Sequence, residues 1–168
     1  MCHNSIKYGM KQLHIDLEFH FYALNELNND DRELIEIAKS MTENSYSPYS
    51  RFQVGAALRL QDGSIFRGSN QENAVFPVGI CAERNAFFAA SANAPEVPPV
   101  CIAIAAQTEG RFTKQPVTPC GSCRQALLEA EIRFQQPIRI LLFGTEGVYE
   151  IPSMQSLLPL TFDGSELA

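Results

Sequence analysis

Alternating apolar and polar residues distinguish the first patterned stretch of the chain, residues 13–21. Leu13 and Phe21 bound the alternation, and the side chains at every second position are polar, namely His14, Asp16, Glu18 and His20. A period of two predicts a strand with one buried face. We therefore expect an extra strand ahead of the main body of the protein.

Three later segments show the patterns of helices. The first carries apolar residues at helical spacing from Leu34 to Met41, after the capping residue Asn28. The second covers about residues 81–93 and is apolar nearly all round. Such a helix must be buried on more than one side, and in a small domain we expect another subunit to cover one of those sides. The third helix begins near Pro119.

The segments between these helices have the composition of strands. Residues 52–60 and 64–67 flank Asp62-Gly63, a strong hairpin signal. Runs rich in β-branched or aliphatic residues predict further strands at 100–107, 138–143 and 148–151. Strands that alternate with helices over one core predict a single α/β domain, with a mixed sheet flanked by helices.

Composition narrows the class of protein. The chain has 168 residues, about one domain's worth, with 45% hydrophobic and 19% charged residues. Its net charge of −6 argues against binding to a nucleic acid polymer, which needs a basic surface. The longest apolar run, residues 97–106, is half the length of about 20 residues that a membrane helix needs. We expect a cytoplasmic protein that binds neither polymer nor membrane.

The five cysteines point to metal chemistry. Their odd number and the expected reducing compartment argue against a disulfide framework. Cys120 and Cys123 form a Cys-x-x-Cys at a predicted helix start, a motif shared by redox pairs and zinc sites. Cys81, at another helix start, adds a third thiolate, which predicts a tetrahedral zinc site with one open position. Cys101 is expected in the core and Cys2 in the tail.

Charged residues beside the cysteines complete a catalytic pattern. Glu83 lies two residues after Cys81. A carboxylate held beside the metal can take a proton from the metal's water and deliver it to a ring nitrogen and a leaving amine. Arg84, next to Glu83, and Arg124, next to Cys123, are both candidates to offset the negative charge of three thiolates.

Several ordered motifs resemble the small homo-oligomeric cytidine deaminases. Cys81-Ala82-Glu83 followed by Pro119-Cys120-Gly-Ser-Cys123 has the form of a zinc deaminase signature. The resemblance extends from about residue 45 to residue 162, through Pro48-Tyr49-Ser50-Arg51-Phe52, Gly68-Ser69-Asn70-Gln71-Glu72 and Leu157-Leu158-Pro159-Leu160-Thr161-Phe162. It implies a mixed five-stranded sheet, one zinc ion per chain and a homotetramer. We expect residues 1–27 to form an extension with one extra strand, and residues 28–168 to form the catalytic domain.

The resemblance also implies roles for individual residues. Cys81, Cys120 and Cys123 would bind the metal, Glu83 would be catalytic and Arg84 would support the metal ligands. The residues implied in substrate binding are Phe52, Asn70, Glu72, Ala82 and Phe162. Within that set, Asn70 and Glu72 would bind ribose hydroxyls, and Phe162 would enter a neighbouring subunit's site. Phe76 stands where many family members carry Tyr.

The implied reaction is hydrolytic deamination of cytidine and 2′-deoxycytidine to uridine and 2′-deoxyuridine, with release of ammonia, in pyrimidine salvage. One alternative is a related zinc deaminase that acts on a blasticidin-type nucleoside, a free base or a nucleotide. Two further alternatives are an interaction domain built on structural zinc and a thiol oxidoreductase. The last would leave Cys81 and Glu83 unexplained.

Overall fold

A computed structural model describes residues 11–167, which contain seven strands and three α-helices. The strands are β1 (His20–Tyr22), β2 (Phe52–Leu60), β3 (Ile65–Ser69), β4 (Pro99–Thr108), β5 (Arg111–Phe112), β6 (Arg139–Gly144) and β7 (Gly147–Ile151). The helices are α1 (Asn29–Met41), α2 (Ala82–Asn93) and α3 (Gly121–Phe134). Cys2 lies outside the described residues. No helix in 11–167 is both long enough and apolar enough to cross a membrane.

All seven strands belong to one mixed sheet. Its order is β1-β7-β6-β4-β2-β3, with β5 paired to β4. Only the β4–β6 pair is parallel among the described strands, because α3 lies on the connection between them. This confirms the predicted α/β class, and a mixed sheet of five strands with an extra N-terminal strand, β1. The sheet has one strand more than predicted, namely β5.

β5 was not predicted because it has only two residues, which pair with the end of β4 after a tight turn. Glu109 and Gly110 both have positive φ, 52° and 72°, the backbone of a hairpin turn that matches the twist of the sheet. Glu109 is not among the residues typical of such a turn, and a strand of two residues is too short to show alternating hydrophobicity.

β1 is an edge strand, as the N-terminal alternation predicts, but it is much shorter than residues 13–21. Only His20–Tyr22 pair with β7, with His20 opposite Glu150. Continuing that register places residue 18 opposite Pro152, which has no N–H group to donate to the ladder. The alternating residues before β1 therefore stay largely outside the core, and Leu13 is 79% exposed.

The helices cover both faces of the sheet. α1 packs on one face, over residues that include Ala57, Cys101, Ala103 and Leu141. α2 and α3 pack on the other face, over Ala56, Leu58, Ile102 and Leu142. Cys101 is buried as predicted, and burial raises the pKa of its thiol to about 12. It is therefore a neutral core residue.

Gly68 on β3 allows α2 to approach the sheet closely. A Cβ atom at position 68 would collide with the carbonyl oxygen of Ala82 and with the amide nitrogen of Ala86. Only glycine permits that approach without moving the helix. Because Cys81 is the N-cap residue of α2, the contact at Gly68 also sets the position of Cys81 against the sheet.

Candidate metal centre and adjoining cleft

Three cysteine side chains meet where α2 and α3 begin. Cys81 and Cys120 are the N-cap residues of the two helices, and Cys123 lies in the first turn of α3. The Sγ–Sγ distances are 3.8 Å from Cys81 to Cys120 and 3.5 Å from Cys120 to Cys123, and all three sulfurs lie within 4.8 Å of one another. A tetrahedral zinc site with Zn–S bonds of about 2.3 Å has sulfurs about 3.8 Å apart. The cluster has the donor type and spacing that zinc requires.

The cluster favours thiolate at Cys81. A hydrogen bond from the Cys123 thiol, helped by the Arg84 guanidinium, lowers the pKa of Cys81 to about 5. The same contact, together with burial, raises the pKa of Cys123. Burial opposes the charge of Arg84, yet its hydrogen bonds to Cys81 and Cys123 raise its pKa. Arg84 therefore lies near the thiols whose charge it is predicted to balance, and that role stays a prediction.

Arg124, the second candidate for that role, has a different set of partners. Its Nε donates to the carbonyl oxygen of Pro119 at 2.8 Å, and its Nη1 donates to that of Leu157 at 3.0 Å. These bonds connect stretches of main chain and direct the guanidinium toward carbonyl groups.

Glu83 is held in the first turn of α2, next to the cysteine cluster. The residue is only 5% exposed, and burial raises the pKa of its carboxyl above the usual range. Its pKa is also raised by the charge of nearby Cys81. A raised pKa makes the protonated form of the carboxyl more accessible, which is the direction that a general acid–base residue requires.

A cleft of about 520 Å³ opens beside Cys81, within the range of about 300–1,000 Å³ that small-molecule sites occupy. Its walls are Tyr49, Ser50, Asn70, Gln71, Glu72, Asn73, Phe76, Gly79, Ile80 and Cys81. Polar side chains and two aromatic rings line it together. The rings of Tyr49 and Phe76 pack edge to face, with their centroids 5.7 Å apart.

Glu72 is anchored by one oxygen. Its Oε2 accepts main-chain N–H bonds from Tyr49 at 2.8 Å and from Ser50 at 3.2 Å. Hydrogen bonding from Ser50 lowers the pKa of the carboxyl, so Glu72 is ionised at neutral pH. Among the described residues Oε1 has no donor, and it remains able to accept a hydroxyl hydrogen from a ligand.

Asn70 joins the end of β3 to the start of β2. Its Oδ1 accepts from the Val54 amide at 2.8 Å and from the Ser45 hydroxyl at 2.5 Å. Its Nδ2 donates to the Phe52 carbonyl at 2.9 Å, which leaves one N–H for a ligand. The side chain therefore holds the cleft wall together as well as facing the cleft.

The structure brings some of the predicted substrate residues to the cleft and not others. Asn70 and Glu72 line it together with Cys81. Phe52 is half-buried at the start of β2, Ala82 is fully buried, and Phe162 is 65% exposed near the end of the chain. These last three lie outside the walls of the cleft of their own chain.

Sequence reasoning assigned no role to Tyr49 and Ser50, whose main-chain amides hold Glu72. The sequence did carry a signal for these two residues, since both belong to the Pro48-Tyr49-Ser50 motif of the resemblance. The contact joins residues 23 and 22 positions apart, so only the folded chain reveals it.

Comparison with known proteins identifies the family. Residues 28–135 match the family model described as the cytidine and deoxycytidylate deaminase zinc-binding region. The match covers more than half of the chain and includes all three cysteines of the cluster. The chain belongs to this deaminase family.

Two members of the family show how much of this deaminase is similar to known proteins. A cytidine deaminase of Halalkalibacterium halodurans is 40% identical over 139 residues, which cover 82% of this chain and 98% of that protein. A cytidine deaminase of Sporosarcina psychrophila is 37% identical over 139 residues, which cover 83% of this chain and 96% of that protein. This deaminase therefore spans nearly the full length of both relatives.

Solved structures agree with this assignment. A cytidine deaminase from Burkholderia pseudomallei superposes with a TM-score of 0.66 at 39% identity, covering 77% of this deaminase and 97% of that chain. A cytidine deaminase from Mycobacterium tuberculosis superposes with a TM-score of 0.63 at 28% identity, and the match covers 81% of this deaminase and 99% of that chain. The fold is that of the cytidine deaminases.

Family and donor chemistry agree on the cofactor of this deaminase. The matched region is described as zinc-binding, and three closely spaced thiols form a soft donor set of the kind that zinc prefers. The cofactor is zinc.

Proposed function

We propose that this protein catalyses the hydrolytic deamination of cytidine and 2′-deoxycytidine to uridine and 2′-deoxyuridine, with release of ammonia, in pyrimidine salvage. The observation that carries the proposal is the buried carboxyl of Glu83 next to a zinc-type cluster of three cysteines. Family membership and 40% identity to a protein named cytidine deaminase support the same reaction.

The geometry of the cluster supports the catalytic roles that we propose. Cys81, Cys120 and Cys123 would hold one zinc ion per chain, with Arg84 balancing their charge. Bound zinc supplies Lewis acidity and lowers the pKa of water, which makes water a nucleophile at neutral pH. Glu83 takes the proton of the attacking water and delivers protons to the ring nitrogen and to the departing amino group. Water and cytidine are thereby converted to uridine and ammonia.

Substrate binding is assigned to the cleft and its surroundings. The open Oε1 of Glu72 is suited to accept a ribose hydroxyl, and the remaining N–H of Asn70 is suited to donate to the same hydroxyl. We propose that Phe52 and Ala82 contact the pyrimidine. Phe162, which is 65% exposed in the single chain, is proposed to complete a neighbouring subunit's cleft, the role that the family resemblance implies for it.

We propose a homotetramer located in the cytoplasm, in which residues 1–27 are an extension of a catalytic domain formed by 28–168. Large apolar side chains that are exposed in the single chain support the assembly. They include Phe76 at 74%, Phe88 on α2 at 47% and Leu160 at 81%. Such side chains are typical of surfaces that subunits cover.

The function is tested by assaying the purified protein with cytidine. We expect its ultraviolet absorbance to fall as uridine forms, in a sample that contains about one zinc per chain. Cytosine, cytidine monophosphate and a blasticidin-type nucleoside, supplied separately, are expected to react far more slowly. A zinc-loaded sample that leaves cytidine unchanged would contradict the proposal, and so would a preference for any of the other three compounds.

Replacing Glu72 by Gln is expected to raise KM for cytidine by about tenfold or more. A hydrogen bond to a charged group contributes roughly 1.5–3 kcal/mol, and glutamine retains the oxygen that the Tyr49 and Ser50 amides need. The matched substrate is 2′,3′-dideoxycytidine, which lacks the two ring hydroxyls that we propose Oε1 binds and keeps only the 5′-hydroxyl. The variant and the native protein should therefore process it with similar KM values. An equal rise in KM with both nucleosides would show that Glu72 only supports the loop of Tyr49 and Ser50 and does not bind a ribose hydroxyl.

A further inference from the structure

α3 holds the C-terminal segment, defined here as residues 154–162, by its main chain. Arg124 donates to the carbonyl oxygen of Leu157 at 3.0 Å, and Gln125 Nε2 donates to that of Phe162 at 2.9 Å. Further along α3, the buried Glu131 carboxylate accepts the amide of Met154 at 2.7 Å and that of Gln155 at 3.1 Å. Three side chains of one helix thus support the segment along its length.

The two ends of the C-terminal segment are packed differently. Met154 is fully buried in the core, whereas Leu160 is 81% exposed and Phe162 is 65% exposed. Local stability falls where few apolar side chains are buried. The course of the exposed end therefore depends on its hydrogen bonds to Arg124 and Gln125 more than the buried end does.

Arg124 also contacts the loop that carries two of the metal-binding cysteines. It follows Cys123 directly, and its Nε donates to the carbonyl of Pro119, the residue before Cys120, at 2.8 Å. Its Nη2 is 3.3 Å from the hydroxyl of Thr118. A guanidinium is planar, with its N–H groups in a fixed arrangement. One rigid group therefore sets the position of the Pro119 carbonyl relative to the Leu157 carbonyl.

We propose that Arg124 is a positioning residue, which holds the metal-ligand loop and the C-terminal segment in register, and that Gln125 then places Phe162. The part of the proposal that concerns catalysis rests on the proposed function, because it assumes that Phe162 reaches a neighbouring cleft. The connection between the metal-ligand loop and the segment rests only on the contacts of Arg124. The two parts therefore fail separately.

The test compares zinc-loaded Arg124→Gln with a matched control, Arg133→Gln. Arg133 is also on α3 and also donates to a main-chain oxygen, that of Pro95 at 2.6 Å, but it contacts neither the ligand loop nor the segment. In Arg124→Gln we expect amide hydrogen exchange in residues 155–162 to accelerate by about tenfold, with no change in β4. Zinc affinity, measured by competition with a chelator, should fall by about 10–100-fold. Arg133→Gln should alter neither quantity.

A second variant isolates the catalytic part. Gln125→Ala is expected to accelerate exchange near Phe162 and to raise KM for cytidine several-fold, with zinc affinity unchanged. Unchanged exchange or unchanged zinc affinity in Arg124→Gln would overturn the connection between loop and segment. An unchanged KM in Gln125→Ala, despite faster exchange, would overturn only the placement of Phe162 for catalysis. Failure of the proposed function itself would instead appear as absent cytidine turnover in the native protein.

Discussion

Replacing Glu83 by Gln is expected to lower kcat for cytidine by about 10²–10⁴-fold while zinc remains bound. Glutamine matches the shape of the buried side chain, so α2 should keep its position. It cannot take a proton from water and pass it on, so the deamination loses its general acid–base. The measurement is steady-state turnover of cytidine, together with metal content on the same sample.

Glu129→Gln provides the matched control for this experiment. Glu129 is an exposed glutamate on α3, and the same chemical change there should leave kcat within about twofold of the native value. If Glu83→Gln retains native turnover with zinc bound, Glu83 is not the proton carrier. If the variant loses its zinc, Glu83 supports the metal site instead.

Replacing Cys123 by Ala is expected to abolish zinc retention during purification and with it cytidine turnover. Cys123 is fully buried and supplies one of only three thiols in the cluster, so its loss leaves two donors. Metal affinity should fall by more than about 100-fold, beyond the loss that outer partners of a metal ligand cause. Because bound metal stabilises the folded state, the variant should also melt at a lower temperature than the zinc-loaded native protein.

Cys101→Ala is the control that separates loss of a ligand from loss of a buried thiol. Cys101 is 3% exposed, and its surroundings on the α1 face of the sheet do not include the cluster. This variant should bind zinc normally and lose only about 1 kcal/mol of stability. Native zinc content in Cys123→Ala would contradict the assignment of Cys123 as a ligand.

Local patterns predicted most of the secondary structure. The predicted second helix, residues 81–93, corresponds to α2 (Ala82–Asn93) after its cap at Cys81, because caps and helical spacing act within one turn. The hairpin at Asp62-Gly63 is confirmed, with Gly63 at a φ of 86° between β2 and β3. The length of β1 could not be predicted in this way, since it depends on its pairing with β7, which ends at Ile151 just before Pro152.

The chemistry of the site was also visible in the sequence, but the construction of the cleft was not. Residue type and spacing alone singled out Cys81, Glu83 and the Cys-x-x-Cys pair. The bonds from Tyr49 and Ser50 to Glu72 cross more than 20 positions of the chain. No local pattern encodes such a contact, because it exists only once β2 and β3 have paired.

The sequence by itself determined the cysteine donor set, the candidate proton carrier and the alternation of strands and helices, because each depends on residue type at short spacing. Tertiary structure decided which of these groups meet. Cys81 and Cys120 are 39 positions apart, yet their sulfurs lie at 3.8 Å because α2 and α3 pack side by side on one face of the sheet. Arg124 reaches Leu157, 33 positions away, because Leu157 packs against the same apolar cluster as α3. Distances between elements are set by how their apolar faces pack, and that packing depends on the whole chain.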